Sequence, residues 1–189
     1  LEASLGLATG DNDADNDGSA LYLHGQNPAS RADLIHLTIA GPHLTTHSAL
    51  YVPTGTVYIT NTIFANHVTD IEALQGAEVY ENYNLYDGGP NLTGTIHAGG
   101  HSFSGPAEFM DPAFDDYHLR AGSEAIDGGV DTGIATDFDG LPRLRGAAPD
   151  IGAHERQVSI IVTMFTDDNT VNNNCTLREA VIAANEDRP

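Results

Sequence analysis

An acidic stretch near the beginning of the chain carries the most specific pattern for binding chemistry. Residues 11–19 read DNDADNDGS, in which aspartates alternate with other residues until Gly18. Carboxylates spaced as D-x-D-x-D-G surround one hard cation, and the glycine permits the turn that brings them together. The sequence therefore predicts a Ca²⁺ site with the ligands Asp11, Asp13, Asp15, Asp17 and Ser19, the last through its backbone carbonyl.

This acidic loop does not complete an EF-hand. An EF-hand loop ends with a bidentate Glu, whereas this chain has His24 at the corresponding position. Ligands that are all oxygen atoms favour Ca²⁺ over Zn²⁺. The alternative is a solvated acidic loop that joins two strands and holds no ion.

The nine histidines of the chain raise the question of a second kind of metal site. His43 and His47 in HLTTH, and His97 and His101 in HAGGH, are four residues apart. In a helix that spacing places two ligands on adjacent turns of one face, but neither segment has a helical pattern. The sequence contains no H-E-x-x-H motif and a single Cys. These histidines are therefore predicted to be polar loop residues.

Catalytic constellations are poorly represented. Cleavage of acidic polysaccharides by elimination needs a basic proton acceptor, and the chain has seven arginines and no lysine. Glycosidases need two facing carboxylates, and Asp115 with Asp116 is the most suggestive pair. We interpret this pair as turn and capping groups, and Asp137 and Asp139 in TDFDG as residues that flank a turn. The sequence predicts no enzyme.

Composition limits the partners. The formal net charge of −20 disfavours nucleic acid and anionic membrane surfaces and favours cations. The single Cys175 excludes an internal disulfide framework. No apolar run approaches the roughly 20 residues that a membrane helix needs.

The elements that must carry these residues are short strands in a repeating order. SALYL at residues 19–23 returns as SALYV at residues 48–52, and aligning Ile39, Ile63 and Leu85 gives steps of 24 and 22 residues. A β-sandwich also has many short strands, but it gives no reason for similar strands to return at one period. Self-similarity at such a period indicates a solenoid. We predict an all-β fold, a right-handed parallel β-helix.

The last part of this repeat region resembles a known family. The matching residues are Tyr117, His118 and Leu119; Ser123, Ala125, Ile126 and Asp127; Asp137, Phe138, Asp139 and Gly140 with Pro142 and Arg143; and Asp150, Ile151, Gly152 and Ala153 with Glu155. They resemble the C-terminal coils of bacterial surface and secreted parallel β-helix proteins, of the kind described by a choice-of-anchor domain. The resemblance implies a β-helix and a bacterial extracellular or surface location. One departure is Glu124, where that family usually has Pro.

The tail resembles the beginning of the same family, so the order of segments is rotated. Residues 158–185 read as a strand, an Asn- and Asp-rich loop and a capping helix of the CTLREAI type. Thr176 and Glu179 form a capping box, and an apolar stripe follows at helical spacing. We therefore predict β-helix coils and their closure in residues 1–156, and a docking strand and helix in residues 157–189.

These features lead to a structural hypothesis for the function. A chain with a cap at its end, and none at its beginning, can join head to tail with its own copies and form an open filament or stalk. The predicted assembly residues are Val158, Ile160, Val162, Thr176, Leu177, Glu179, Ala180, Val181 and Ala184. Two alternatives for the tail stay open: it begins a following domain of a longer protein, or it folds back on its own chain.

Two alternative functions also stay open. One is a polysaccharide-active β-helix enzyme, a lyase or a glycosidase. The other is a carbohydrate-binding adhesin that stacks sugars on the tyrosines of the strands, namely Tyr51, Tyr58, Tyr80, Tyr83 and Tyr86. Either would make polysaccharide the partner in place of further copies of the chain.

Overall fold

The structure is a computed structural model of the full chain. It describes residues 2–9, 20–24, 29–157, 176–178 and 180–181, and only the backbone of residues 2–9, 24 and 42–47. Contacts divide the chain into two compact units, Leu1–Arg156 and Gln157–Pro189. Among the described residues, no helix has the length and apolar composition that a membrane span requires.

The regular structure of the first unit consists almost entirely of strands. They are β1 (Glu2–Thr9), β2 (Leu21–His24), β3 (Arg31–Thr60), β4 (Ile63–Ala73), β5 (Ala77–Asn82), β6 (Leu85–Asp87), β7 (Leu92–Thr93), β8 (Ile96–Ala98), β9 (Phe103–Ser104), β10 (Phe109–Asp111) and β11 (Asp116–Leu119), with a 3₁₀ turn at Pro112–Phe114 between the last two.

The strands β1 to β9 stack as parallel coils. One ladder contains β1, the beginning of β3, the beginning of β4, β6 and β9. A second contains β2, the middle of β3, the end of β4 and β7. A third contains the end of β3, β5 and β8. Because every pairing in these ladders is parallel and β3 bends through all of them, the predicted all-β parallel β-helix is confirmed.

The pairing of buried residues in the first ladder differs by one position from the predicted alignment of Ile39, Ile63 and Leu85. Ile63 pairs with Leu85, as expected, but Ile39 pairs with Phe64, and Thr38 occupies the position beside Ile63. A one-residue slip normally moves apolar side chains to the wrong face and is therefore easily recognised. Here Ile39, Ile63, Phe64 and Leu85 are all fully buried, so hydrophobicity does not distinguish the two registers.

Both faces of this ladder are buried, because a separate hydrophobic cluster packs against each face. Ile39, Phe64 and Tyr86 lie in a cluster with residues of the other ladders, which is the interior of the coil. Ile63 and Leu85 lie in a second cluster. That second cluster also contains Ala107, Phe109, Tyr117, Leu119, Ala125 and Ile151 from the segment after β9.

We call residues 105–156 the closing segment. It does not add parallel coils: β10 and β11 pair antiparallel, and the rest is mainly turns. Asn61 anchors it, since its side chain accepts from Val130 N at 3.0 Å and donates to Val130 O at 2.7 Å. Gly152 approaches so closely that a Cβ there would lie 2.7 Å from Cδ1 of Ile63. The closing segment therefore covers the outer face of the first ladder.

The second unit is described at the beginning of its helix. Residues 177–178 and 180–181 are helical, and the N–H of Ala180 donates to the carbonyl of Thr176 at 2.9 Å. Thr176 and Ala180 are buried, whereas Leu177 is 68% and Val181 51% exposed. Glu179 lies outside the described residues, so the capping box stays a prediction.

Candidate metal centre

The closing segment brings together His118, Asp139 and His154. Each offers one potential ligand atom, and these atoms all lie within 4.8 Å of one another. The Nε2 atom of His118 is 2.8 Å from Oδ2 of Asp139, and Nδ1 of His154 is 3.1 Å from the same oxygen. The two imidazole rings lie 4.1 Å apart at an angle of 34°. Two imidazoles thus converge on one carboxylate oxygen.

Strand β11 positions His118. Side chains alternate between the two faces of a strand, and here Tyr117 and Leu119 are buried in the second core cluster. Their burial turns His118 outward, where its side chain is 49% exposed. The aromatic ring of Tyr117 packs edge-on against Phe109 of β10, which holds the strand in place.

A tight turn positions Asp139. The side chain of Asp137 accepts hydrogen bonds from the backbone N–H groups of Asp139 at 3.0 Å and Leu141 at 2.8 Å. Gly140 occupies the left-handed region with φ of 78°, which glycine adopts without strain. The predicted turn role of Asp137 is therefore observed, while Asp139 projects from the turn toward the histidines.

His154 is the buried member of the site. Its side chain is 6% exposed, and the ring of Phe138 packs edge-on against it with centroids 5.5 Å apart. The backbone on both sides is held, because Phe138 N donates to Ala153 O at 2.9 Å and Glu155 N donates to Asp137 at 3.0 Å. The orientation of this histidine is thus set by the fold.

Asp116 orients His118 from the opposite side. Its Oδ1 atom lies 2.6 Å from Nδ1 of His118 and also accepts the backbone N–H of His118 at 3.2 Å. A carboxylate that accepts from Nδ1 keeps a proton on that nitrogen and leaves Nε2 to face Asp139. The pair Asp115 and Asp116 was expected to serve as turn and capping groups. Asp115 does end the 3₁₀ turn in a left-handed conformation, and Asp116 has the additional role of fixing an imidazole.

The charges of the cluster follow from these contacts. Burial opposes a charge on His118, but hydrogen bonds to Asp116 and Asp139 outweigh it and raise its pKa. The hydrogen bond from His118 lowers the pKa of Asp116. For His154, burial dominates and lowers the pKa. The site therefore combines one histidine whose pKa is raised, His118, with one whose pKa is lowered, His154.

Three further polar residues of the closing segment, Arg143, Asp150 and Glu155, form hydrogen bonds with backbone groups. Arg143 donates to the carbonyl of Ala153 at 2.7 Å, and Glu155 accepts the backbone N–H groups of Leu144 and Arg145 at 3.0 Å each. Asp150 accepts the backbone N–H of Asp127 at 2.8 Å and that of Arg156 at 2.6 Å. These residues hold backbone in place, which is a structural role.

Several predicted sites fall outside the described residues or outside this cluster. The predicted Ca²⁺ ligands of residues 11–19 lie outside the residues that the structure describes. The same holds for the predicted assembly residues Val158, Ile160, Val162, Glu179 and Ala184. Nothing is described for the side chains of His43 and His47. His97 stacks on Tyr80 and His101 on Tyr83, with ring centroids 4.3 Å and 4.5 Å apart.

Sequence patterns did not predict the cluster of His118, Asp139 and His154. Its histidines lie 36 positions apart, in DYHL and DIGAHE, so no short ligand spacing exists. The signal that was available is a carboxylate near each histidine: Asp116 two residues before His118, and Glu155 directly after His154. That signal is weak in a chain with 27 acidic residues.

The tyrosines of the strands form columns rather than open platforms. Tyr58 stacks on Tyr80 with centroids 4.9 Å apart, Tyr80 stacks on His97, and the guanidinium of Arg31 lies 4.0 Å over Tyr58. Tyr86 is buried against Phe64. Ring faces that already contact one another are not available to a sugar.

Comparisons with known proteins give no match. No family model, no curated protein and no solved structure matches this chain. The fold thus defines the class, a parallel β-solenoid with a closing segment on its outer face, and the resemblance of the closing motif stays an expectation.

Proposed function

We propose that the chain is a structural module of a bacterial extracellular or cell-surface protein that stacks head to tail into a filament or stalk. In this arrangement, residues 157–189 of one unit dock on the first coil of the next unit. Strand β1 of the receiving unit is the element that they extend. Such a contact uses different surfaces on the two partners, and it gives an open filament when the rotation between successive units does not close a ring.

The observation that carries this proposal is the edge of β1. Within the part of the chain that the structure describes, this strand of eight residues pairs with β3 alone. The outer edge of a parallel strand presents a row of N–H and C=O groups that can pair with another strand. Strand addition at such an edge is a common way to join protein chains. The predicted β-strand at residues 158–163 is the occupant that we assign to it.

Exposed apolar residues in the second unit support the proposal. Leu177 and Val181 lie one helical turn apart, and both are more than half exposed. Two such residues at i and i+4 form one apolar patch. A short helix is marginal in water unless such a patch is covered. Docking on the next unit would cover it.

Surface charge fits an assembled rather than a nucleic-acid-binding protein. The net charge of −20 would keep neighbouring filaments apart and soluble. The adhesin alternative is less well supported, because the ring faces of Tyr58 and Tyr80 are covered by their neighbours in the column.

Electron microscopy tests the proposal with the full chain, a variant that ends at Arg156, and two point variants. Val181→Asp places a charge in the apolar patch of the helix. Val68→Asp is the matched control, since Val68 is 50% exposed and Val181 51%, but Val68 lies on β4.

We expect filaments from the full chain and from Val68→Asp, and none from the truncated chain or Val181→Asp. Monomers from the full chain at every concentration would contradict the proposal. The tail would then fold back on its own chain or continue into a further domain. Filaments from the chain that ends at Arg156 would also contradict it.

A further inference from the structure

We propose that His118, Asp139 and His154 form a binding site for one Zn²⁺ ion in each chain. This site differs from the predicted Ca²⁺ loop in position and in ligand chemistry. It is also independent of head-to-tail assembly, because all of its residues belong to the closing segment of one unit.

The ligand atoms are already close to the arrangement that a zinc ion requires. Zn–N bonds of about 2.0–2.1 Å in a tetrahedron place neighbouring ligand atoms roughly 3.3 Å apart. The separations from Oδ2 of Asp139 are 2.8 Å to His118 and 3.1 Å to His154, and none of the three exceeds 4.8 Å. Small rotations of side chains would admit the ion.

The direction of the His118 imidazole is set for metal binding. Its Nδ1 atom lies 2.6 Å from the Asp116 carboxylate, so Nε2 is the nitrogen that faces the cluster. Zinc-bound histidines typically donate their other N–H to a carboxylate or carbonyl, which fixes the ring and raises its basicity. Asp116 supplies this contact and is a positioning residue.

The cluster is assembled by the fold and not by one flexible loop. His118 comes from β11, Asp139 from the turn that Asp137 holds, and His154 from a buried position against Phe138. Ligands whose backbone is fixed bind a metal without a large loss of conformational entropy. A bound ion would cross-link these segments at the outer surface of the solenoid.

Ligand chemistry selects the kind of ion. Two imidazole nitrogens and one carboxylate oxygen suit Zn²⁺, whereas Ca²⁺ takes oxygen ligands in larger number. Three protein ligands leave one tetrahedral position for a water molecule or another donor. His118 and Asp139 are 49% and 36% exposed at their side chains, which gives an ion access from solvent.

Calorimetric titration with Zn²⁺ tests this site on the full chain, in buffer with excess Ca²⁺ to occupy sites made of oxygen ligands. The ligand variants are His118→Gln and Asp139→Asn, and the positioning variant is Asp116→Asn. His97→Gln is the matched control, because His97 is exposed and stacks on Tyr80 away from the cluster.

We expect one equivalent of Zn²⁺ to bind to the unaltered chain and to His97→Gln with the same affinity. Asp116→Asn should weaken binding by about 10–100-fold, which is usual for a residue that orients a ligand. His118→Gln and Asp139→Asn should weaken it at least as much. Equal affinity of the ligand variants and the control would overturn the proposal, as would the absence of binding to the unaltered chain.

Co²⁺ spectroscopy gives an answer that does not depend on the folding of any variant. In a tetrahedral site with histidine ligands, Co²⁺ absorbs strongly in the visible range, whereas six oxygen ligands give weak absorption. We expect the strong spectrum in the unaltered chain and its loss when Zn²⁺ is added. A weak spectrum typical of six oxygen ligands would overturn the assignment.

Discussion

The backbone N–H of Ala153 donates a 3.0 Å hydrogen bond to the hydroxyl of Thr38, a residue 115 positions earlier in the chain. Thr38 lies beside Ile63 in the first ladder, and Ala153 directly precedes His154 of the candidate metal centre. Both residues are fully buried. This bond therefore fixes the end of the closing segment on the outer face of the solenoid.

Replacing Thr38 by Val should destabilise the first unit. Valine keeps the branched shape and the strand preference, but it leaves the buried N–H of Ala153 without an acceptor. An unsatisfied buried donor costs about 1–3 kcal/mol, so we expect the free energy of unfolding to fall by about that amount. Denaturation with urea measures it. Thr93→Val, at an exposed position of β7, is the control and should change stability by less than about 0.5 kcal/mol. Equal effects of the two variants would contradict the role of this bond.

Asn61 should contribute more to the stability of the fold than its backbone conformation alone explains. Asn61 and Asn66 both have positive φ, 54° and 64°, but Asn61 is buried and bonded to Val130 through both side-chain atoms, whereas Asn66 is exposed. Substitution by Ala imposes a similar conformational cost at both sites. The loss of two part-buried hydrogen bonds to Val130 and of the buried contact with Nε2 of His36 should make Asn61→Ala less stable than Asn66→Ala by about 2–4 kcal/mol. Thermal and urea unfolding of the two variants would show this difference, and similar stabilities would refute the anchoring role of Asn61.

Asp70 should make the unaltered chain less stable as the pH rises. Burial raises its pKa to about 6, above the value of about 3.9 expected in an unfolded chain. Between these values the folded state holds more protons than the unfolded state, so stability falls by about 2–3 kcal/mol from pH 4 to pH 7. Asp70→Asn keeps an acceptor for the N–H of Asn91 but does not titrate.

The measurement for this prediction is the difference in unfolding free energy between Asp70→Asn and the unaltered chain at several pH values. Taking the difference removes the contribution of other groups, including those whose titration changes stability in the opposite direction. One such group is His36, whose pKa is lowered to about 3 by burial and which makes stability rise with pH. We expect the variant to gain stability relative to the unaltered chain between pH 4 and pH 7. A difference that is constant with pH would show that Asp70 ionises in the folded state as it does in the unfolded one.

Local sequence patterns predicted much of the fold and little of the site. The return of similar strands indicated a solenoid because each coil needs its neighbours to bury apolar side chains. The turn at Asp137 was recognisable because Asp and Gly favour such turns. The pairing of Ile39 was predicted one residue away from its true partner, Phe64. Both faces of that strand are buried, so its alternation is hidden.

The class of the fold follows from local sequence, since strand period, turn residues and apolar content act over short stretches of chain. The position of the closing segment and the convergence of His118 with His154 depend instead on tertiary packing. The strands at residues 38–40 and 63–65 are buried on both faces, and sequence alone does not say which later segment covers the outer one. Packing across more than a hundred positions of the chain, as between Thr38 and Ala153, settles that choice and with it the site.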